Sequence, residues 1–173
     1  MNFDKSEFRN ALGGYATGVA VITTRTADGR AIGITINSFS SVSLEPPLVL
    51  WSLVTTSPSL EHFAIGEPHV IHVLAHDQEE LARRFASPAA DKFAGVPHVL
   101  TASSVPRFDG CVAVFECRTR SLYEEGDHMI VVAAVEHLIH RVRDPLLFCG
   151  GKFSVLEAEV NLAAPNTAAA SAG

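Results

Sequence analysis

The stretch CVAVFECRTRSLYEEGDHMIVVAAVEHLIHRV, residues 111–142, decides the fold, because it reads as two long strands separated by a turn. From about Cys111 to Leu122, Phe115 and Cys117 alternate with Glu116, Arg118 and Arg120, the period-two pattern of a strand with one dry and one wet face. Met129 to Val142 is the second long strand, and the turn-forming run Glu124-Glu125-Gly126-Asp127 lies between them. A half-wet pair of this kind belongs to an antiparallel sheet.

Upstream, β-branched content rises from Gly18 to Arg25, Asp28-Gly29 marks a tight turn, and Ala31 to Ser38 runs extended, which predicts a second hairpin. Leu48 to Leu53 after Pro46-Pro47, Val70 to Ala75, and Lys152 to Leu156 read as further strands. Helices are few and short. Asp4 with Glu7 forms a capping box for a helix placing Phe8, Ala11 and Leu12 on one face before Gly13-Gly14. Ser57-Pro58-Ser59 opens a second, with Leu60, Phe63 and Ala64 along one side, and Asp77 caps a third. That third helix turns Glu79, Glu80, Arg83 and Arg84 to water and Leu81 and Phe85 inward, ending before Pro88. Six or more hairpin-joined strands predict a mainly β protein, an antiparallel β-barrel decorated by short helices. One domain is expected over residues 1–160, followed by an alanine-rich tail over residues 161–173 that is expected to be disordered.

At 173 residues with 47% hydrophobic content, the chain holds enough apolar material for a sizeable core. Nineteen acidic against thirteen basic residues give a net charge of -6, which repels phosphate backbones and anionic lipid, so neither nucleic acid nor membrane is expected as a partner. The start Met1-Asn2-Phe3-Asp4-Lys5 lacks the basic and apolar segments of a secretion signal, and a cytoplasmic location is expected. Cys111, Cys117 and Cys149 form no C-x-x-C pair and read as reduced, mostly packed thiols. His69, His72 and His76 suggest a metal site only until strand geometry is considered. Residues three apart on a strand face opposite sides, and His72 and His76 would stand about 13 Å apart, so no metal is expected there or at His137 and His140. Gly13 to Gly18 has the glycine spacing of a P-loop, but Val19-Ala20 replaces its lysine and hydroxyl residue. Neither a G-x-G-x-x-G fingerprint nor a G-x-S-x-G nucleophile elbow is present.

The chemistry-bearing stretch is Gly33 to Leu50, where Thr35, Asn37, Ser38, Ser40, Ser41 and Ser43 set small hydroxyl and amide groups between two apolar runs. Such groups offer donors and acceptors at short reach without blocking a flat ligand. Ser57 and Ser59 stand at a helix start, where free N–H groups favour an anion, although a serine there more often only caps. Lys92-Phe93, preceded by Ser87 and Asp91, has two readings as well: a cation beside an aromatic wall, or a solvated loop with one anchoring ring.

Several motifs recur in order from Phe8 to Leu156: Thr17-Gly18-Val19 with Thr23-Thr24, Thr35-x-Asn37-Ser38-Phe39, Ser41-Val42-Ser43-Leu44-x-Pro46-Pro47-Leu48-Val49-Leu50, Phe85-Ala86, Lys92-Phe93-x-Gly95, Gly126-Asp127-His128 and Pro145-Leu146-Leu147-Phe148. This set resembles the short-chain flavin reductases that supply reduced flavin to two-component monooxygenases. The resemblance implies an FMN-binding split β-barrel, a homodimer with flavin near the subunit interface, reduction of FMN or FAD by NADH or NADPH, and a partner monooxygenase. In that setting Thr35, Asn37 and Ser38, with the backbone of Ile36, contact the flavin ring edge and ribityl chain. Ser52 and Leu53 present main-chain groups to the pyrimidine, Ser57, Ser59 and Lys92 hold the phosphate, and Phe93 lies against the ring system.

His128 sits in the turn between the long strands, where an imidazole can orient an incoming nicotinamide, and Phe153 stacks near it or serves as a core ring. The sequence departs from the family pattern at His72, at Ala133 and over Cys149 to Phe153, which bears on the nicotinamide pocket and on NADH against NADPH. Two other readings fit the same barrel: a non-catalytic flavin- or haem-binding module, and a flavin-dependent corrinoid reductase.

Overall fold

The computed structural model describes residues 2–156, and the expected tail over residues 161–173 lies outside them. In chain order the elements are α1 (Lys5–Gly13), β1 (Thr17–Gly18), β2 (Ala20–Arg25), β3 (Ala31–Ile36), β4 (Ser40–Leu44), β5 (Pro47–Val54), a 3-10 turn at Leu60–Phe63, β6 (Pro68–Val73), a 3-10 turn at His76–Gln78, α2 (Glu79–Ala86), β7 (Val99–Leu100), β8 (Pro106–Arg107), β9 (Ala113–Glu125), β10 (His128–His140), β11 (Leu147–Cys149) and β12 (Lys152–Ser154).

The two long strands are β9 and β10, and their turn is tighter than the sequence suggested. Glu125 pairs with His128, leaving only Gly126 and Asp127 in the loop. Gly126 has a φ of 62°, the left-handed conformation that a two-residue hairpin needs at its first position and that glycine adopts without steric cost. Seven strands form one antiparallel sheet in the order β3-β2-β6-β9-β10-β5-β4, with β3 and β4 at its two edges.

Residues Asn37 to Phe39 carry the chain from one edge to the other. Across that gap the Ser38 hydroxyl accepts from the Ser52 N–H at 2.9 Å and donates to the Ser52 carbonyl at 3.2 Å, so a side chain takes the place of a strand ladder. The sheet thus curls into a barrel with a split in its wall. A smaller sheet in the order β1-β11-β12 and the hairpin of β7 and β8 flank it.

Strand alternation divides the apolar residues between two cores. Inside the barrel, Trp51, Ile22, Ile71, Val131 and Phe63 are fully buried, and the Trp51 and Phe63 rings meet edge-on at 4.8 Å. Outside it, α2 packs on β3 and β2, and its Ala82 and Phe85 share a core with Val21, Val70 and Phe108. His69 and His72 point into different cores, as residues three apart on a strand must. His69 accepts from the Trp51 indole N–H in the barrel at 3.4 Å, whereas His72 lies outside, with its Nδ1 2.9 Å from the Val21 carbonyl and its Nε2 accepting from the Phe108 N–H at 3.1 Å. Burial pushes both imidazoles down to a pKa of about 4, so both are neutral at pH 7.

Several local expectations are corrected. The stretch from Gly33 to Leu50 contains a strand of its own, β4, so Ser40, Ser41 and Ser43 belong to the far sheet edge rather than to a ledge beside β3. Asp77 does not cap α2, because its carboxylate pairs with Arg143 at 2.6 Å, a partner supplied from far along the chain. Leu60–Phe63 is a single 3-10 turn, and Ser59 makes no side-chain cap. β6 begins and ends two residues earlier than expected, and Cys149 is exposed, unlike buried Cys111 and Cys117. The capping box of Asp4 and Glu7 on α1 is present as expected.

Candidate functional site

Among the described residues β3 is a sheet edge, paired only with β2. The Thr26 N–H donates to the Arg30 carbonyl at 2.9 Å, which sets the alternation of the ladder. The backbone groups of Ile32, Ile34 and Ile36 therefore face β2, while those of Ala31, Gly33 and Thr35 face outward. An outward row of alternating N–H and C=O groups fits the alternating acceptors and donors of a pyrimidine edge.

Gly33 lies at the closest approach of β3 to α2. A Cβ at this position would fall inside the contact radius of the Phe85 ring and 3.3 Å from Phe93. The missing side chain lets the loop after α2 fold over the strand, and the Lys92 ammonium reaches the Gly33 carbonyl at 3.3 Å and the Phe85 carbonyl at 2.9 Å. Partial burial lowers the Lys92 pKa from its ordinary value. The Asp91 carboxylate holds this loop by accepting from the N–H groups of Phe93 and Ala94 at 3.0 and 3.1 Å, and the Ser87 hydroxyl donates to the Arg84 carbonyl at the end of α2.

Two concavities follow the outward edge. At the start of β3, a cleft of about 610 Å³ is lined by Arg30, Gly33, Ser59, His62, Lys92 and Phe93 among others. At its end, an apolar slot of about 190 Å³ lies between Thr35, Ile36, Asn37 and Ala86 on one side and Val19, Phe148 and Phe153 on the other. The Thr35 hydroxyl donates to the Ala82 carbonyl at 2.7 Å and pins β3 to α2, while Asn37 is exposed.

Beyond Asn37, Ser38 bridges the split to Ser52, and two residues further along β5, Val54 pairs with His128. His128 therefore stands at the tip of the long hairpin, beyond Ser52, and lines neither the cleft nor the slot. There His128 Nδ1 lies 2.7 Å from the Asp127 carboxylate, and the same contact lowers the Asp127 pKa.

The structure thus brings Lys92 and Ser59 together in one cleft and Thr35, Ile36, Asn37 and Phe153 together in one slot. It places others differently from the sequence reading. The main-chain groups of Ser52 are occupied by Ser38, and the alternation that turns Ser52 outward turns those of Leu53 into the β10 ladder. Neither presents free backbone to a pyrimidine. The Ser57 hydroxyl accepts from the Ser59 N–H at 3.3 Å at the start of a turn too short to build a helix dipole. Phe93 fills both of its readings, lining the cleft while its ring packs on Phe85 at 4.9 Å and Phe108 at 5.9 Å. Sequence reading missed Gly33 as the crossing point and Phe148 as the second ring of the slot; a glycine opposite an expected helix phenylalanine was the available signal.

The donor set suits a flavin: an outward main-chain edge, an apolar slot and a cation at the cleft. A family model described as the flavin reductase like domain matches residues 12–157. The chain belongs to the flavin reductase family. Among curated relatives, the FMN reductase (NADH) SmoA of Agrobacterium fabrum is 44% identical over 146 residues, covering 84% of this chain and 83% of its own. The reductase component of the flavin-dependent trigonelline monooxygenase of Acinetobacter baylyi is 40% identical over 131 residues; the match covers 76% of this chain but only 42% of that longer protein. The NADH:FAD oxidoreductase of Streptomyces globisporus, solved with NAD and FAD fragments, superposes with a TM-score of 0.84 at 35% identity, covering 91% of this chain and 96% of that one. The barrel described above is the split barrel of this family. No helix among the described residues is long and apolar enough to cross a membrane.

Proposed function

We propose that the protein is an NAD(P)H-dependent flavin reductase that passes reduced FMN or FAD to a separate monooxygenase. The observation that carries this reading is the outward edge of β3, flanked by the Lys92 cleft at one end and the apolar slot at the other. Relatives that reduce FMN or FAD with NADH support it.

When bound, flavin supplies the acceptor for a hydride from the dihydropyridine of NADH or NADPH. The protein contributes alignment and water exclusion, and no side chain acts as a general base. Lys92 would neutralise the phosphate, Ser59 in the same cleft would hydrogen-bond it, and Phe93 walls the cleft, while Ser57 only holds the turn through the Ser59 N–H. Outward backbone groups of β3 and the side chains of Thr35, Asn37 and Ser38 would hold the ring edge and ribityl chain, whereas the Ile36 backbone is turned into the β2 ladder, contrary to the sequence reading, and Ile36 only lines the slot. Phe153 closes the slot beside the nicotinamide. His128, held with its Nδ1 2.7 Å from the Asp127 carboxylate, would orient the nicotinamide carboxamide. The working form is a homodimer in the cytoplasm, with the partner monooxygenase as recipient.

The test is steady oxidation of NADH and NADPH by purified protein, crossed with FMN, FAD and riboflavin, alongside light scattering for subunit number. Flavin-dependent consumption of either nucleotide is the expected result. Tight flavin binding without turnover would make the protein a non-catalytic module, and turnover confined to a corrinoid acceptor would make it a corrinoid reductase.

A further inference from the structure

We propose that Arg83, which does not line the slot, is a positioning residue for nicotinamide binding and acts by clamping the ring of Phe153. The proposal rests on the reading of the slot as the nicotinamide site. Phe153 lies on β12, the outer strand of the small sheet, which is held by three residue pairs to β11 and has no second strand partner among the described residues. β11 in turn pairs with β1 at only two positions. The backbone leaves this ring weakly restrained, so its orientation depends on side-chain contacts.

The ring packs against the edge of the outer core, and two further contacts act on its faces and rim. Phe148, directly across the β11–β12 pair, meets Phe153 edge-on at 5.4 Å. The guanidinium carbon of Arg83 lies 4.8 Å from the Phe153 ring centroid, a cation–π contact. Arg83 is itself fixed, because Glu79 one turn earlier on α2 accepts from its Nε at 2.7 Å and approaches its Nη2 at 2.6 Å. One turn later, Ala86 lines the slot. The same face of α2 therefore supplies both a wall of the slot and the clamp on the opposite wall. A chain of contacts runs from Glu79 through Arg83 to Phe153, and it sets the slot's shape before a nucleotide arrives.

Pre-organisation of this kind alters binding rather than chemistry. Replacing Arg83 by alanine should weaken NAD+ binding, measured by calorimetry, about two- to fivefold, the range of an exposed cation–π contact. The Michaelis constant for NADH should rise in parallel with little change in kcat. Arg83→Lys, which keeps a cation over the ring, should recover most of the loss. Phe153→Ala should weaken NAD+ binding about tenfold, and adding Arg83→Ala to it should cost nothing further, since the two act as a unit. Amide exchange in the Leu147–Ser154 hairpin should quicken in Arg83→Ala and return toward the parent rate in Arg83→Lys.

If Phe153→Ala weakens NAD+ binding while Arg83→Ala leaves both binding and hairpin exchange unchanged, the clamp is overturned and the nicotinamide slot stands. If Phe153→Ala leaves NAD+ binding unchanged, the reading of the slot fails and the proposal fails with it. Quicker exchange in Arg83→Ala with unaltered NAD+ affinity also overturns it, because the residue would then be merely structural.

Discussion

Replacing Gly33 by alanine tests the crossing of β3 and α2 on which the site is built. The added methyl would enter the Phe85 ring, which is 1% exposed and locked by Phe93 at 4.9 Å and Phe108 at 5.2 Å, so no neighbour can swing aside. Overpacking of this kind costs about 1–3 kcal/mol. The loss of unfolded-chain freedom on replacing glycine returns about 0.4–1 kcal/mol, leaving a net destabilisation of roughly 1–2 kcal/mol. For a chain of this size that is a fall in Tm of about 3–6 °C. Moving β3 away from α2 also pulls the Gly33 carbonyl from Lys92, so FMN should bind more weakly than in the parent protein.

Urea unfolding at constant m-value gives the first number, and FMN titration the second. Gly18→Ala is the control, since a Cβ there meets nothing within 4 Å and only the lost unfolded-chain freedom acts, so it should be about 0.4–1 kcal/mol more stable than the parent. If Gly33→Ala proves as stable as Gly18→Ala, the crossing is not the tight contact described and the account of the cleft is wrong.

Lys92→Ala should raise the dissociation constants of FMN and FAD about tenfold and leave riboflavin, which has no phosphate, unaffected; equal losses for all three would place the ammonium away from the phosphate. His128→Ala should raise the Michaelis constant for NADH severalfold without changing FMN affinity, and unaltered steady-state kinetics would remove it from the site. Acid should destabilise the fold through His69 and His72. Their folded pKa of about 4 lies below the ordinary value of 6.5, so from pH 6.5 down to 4 the unfolded chain binds protons that the folded chain refuses. The loss approaches about 3 kcal/mol for each histidine, and urea midpoints that stay level from pH 7.5 to 5 would contradict it.

Much of the barrel was legible in the chain because its signals are local. The alternation around Phe115 and Cys117, the Gly126-Asp127 turn and the Asp4–Glu7 capping box are set within a few neighbouring residues, and each forms close to where its pattern lies. The misses share the opposite cause. Asp77 abandons its expected cap for Arg143, and the serines of Gly33 to Leu50 divide between two sheet edges because β4 finds a partner in β5.

Composition, periodicity and turn chemistry therefore determined the mainly β class, the order of most strands along the chain and the residue types suited to a flat, charged ligand. Tertiary structure alone decided which of those residues share a place. Lys92 lies over Gly33, 59 residues away in the chain, because a glycine lets a helix approach a sheet edge. Ser52 is occupied by Ser38 because the barrel is split at that point, and Arg83 covers Phe153 because α2 and the last hairpin flank the same slot. Contacts between distant segments follow from how sheets curl and helices pack, and no local pattern of residues encodes them.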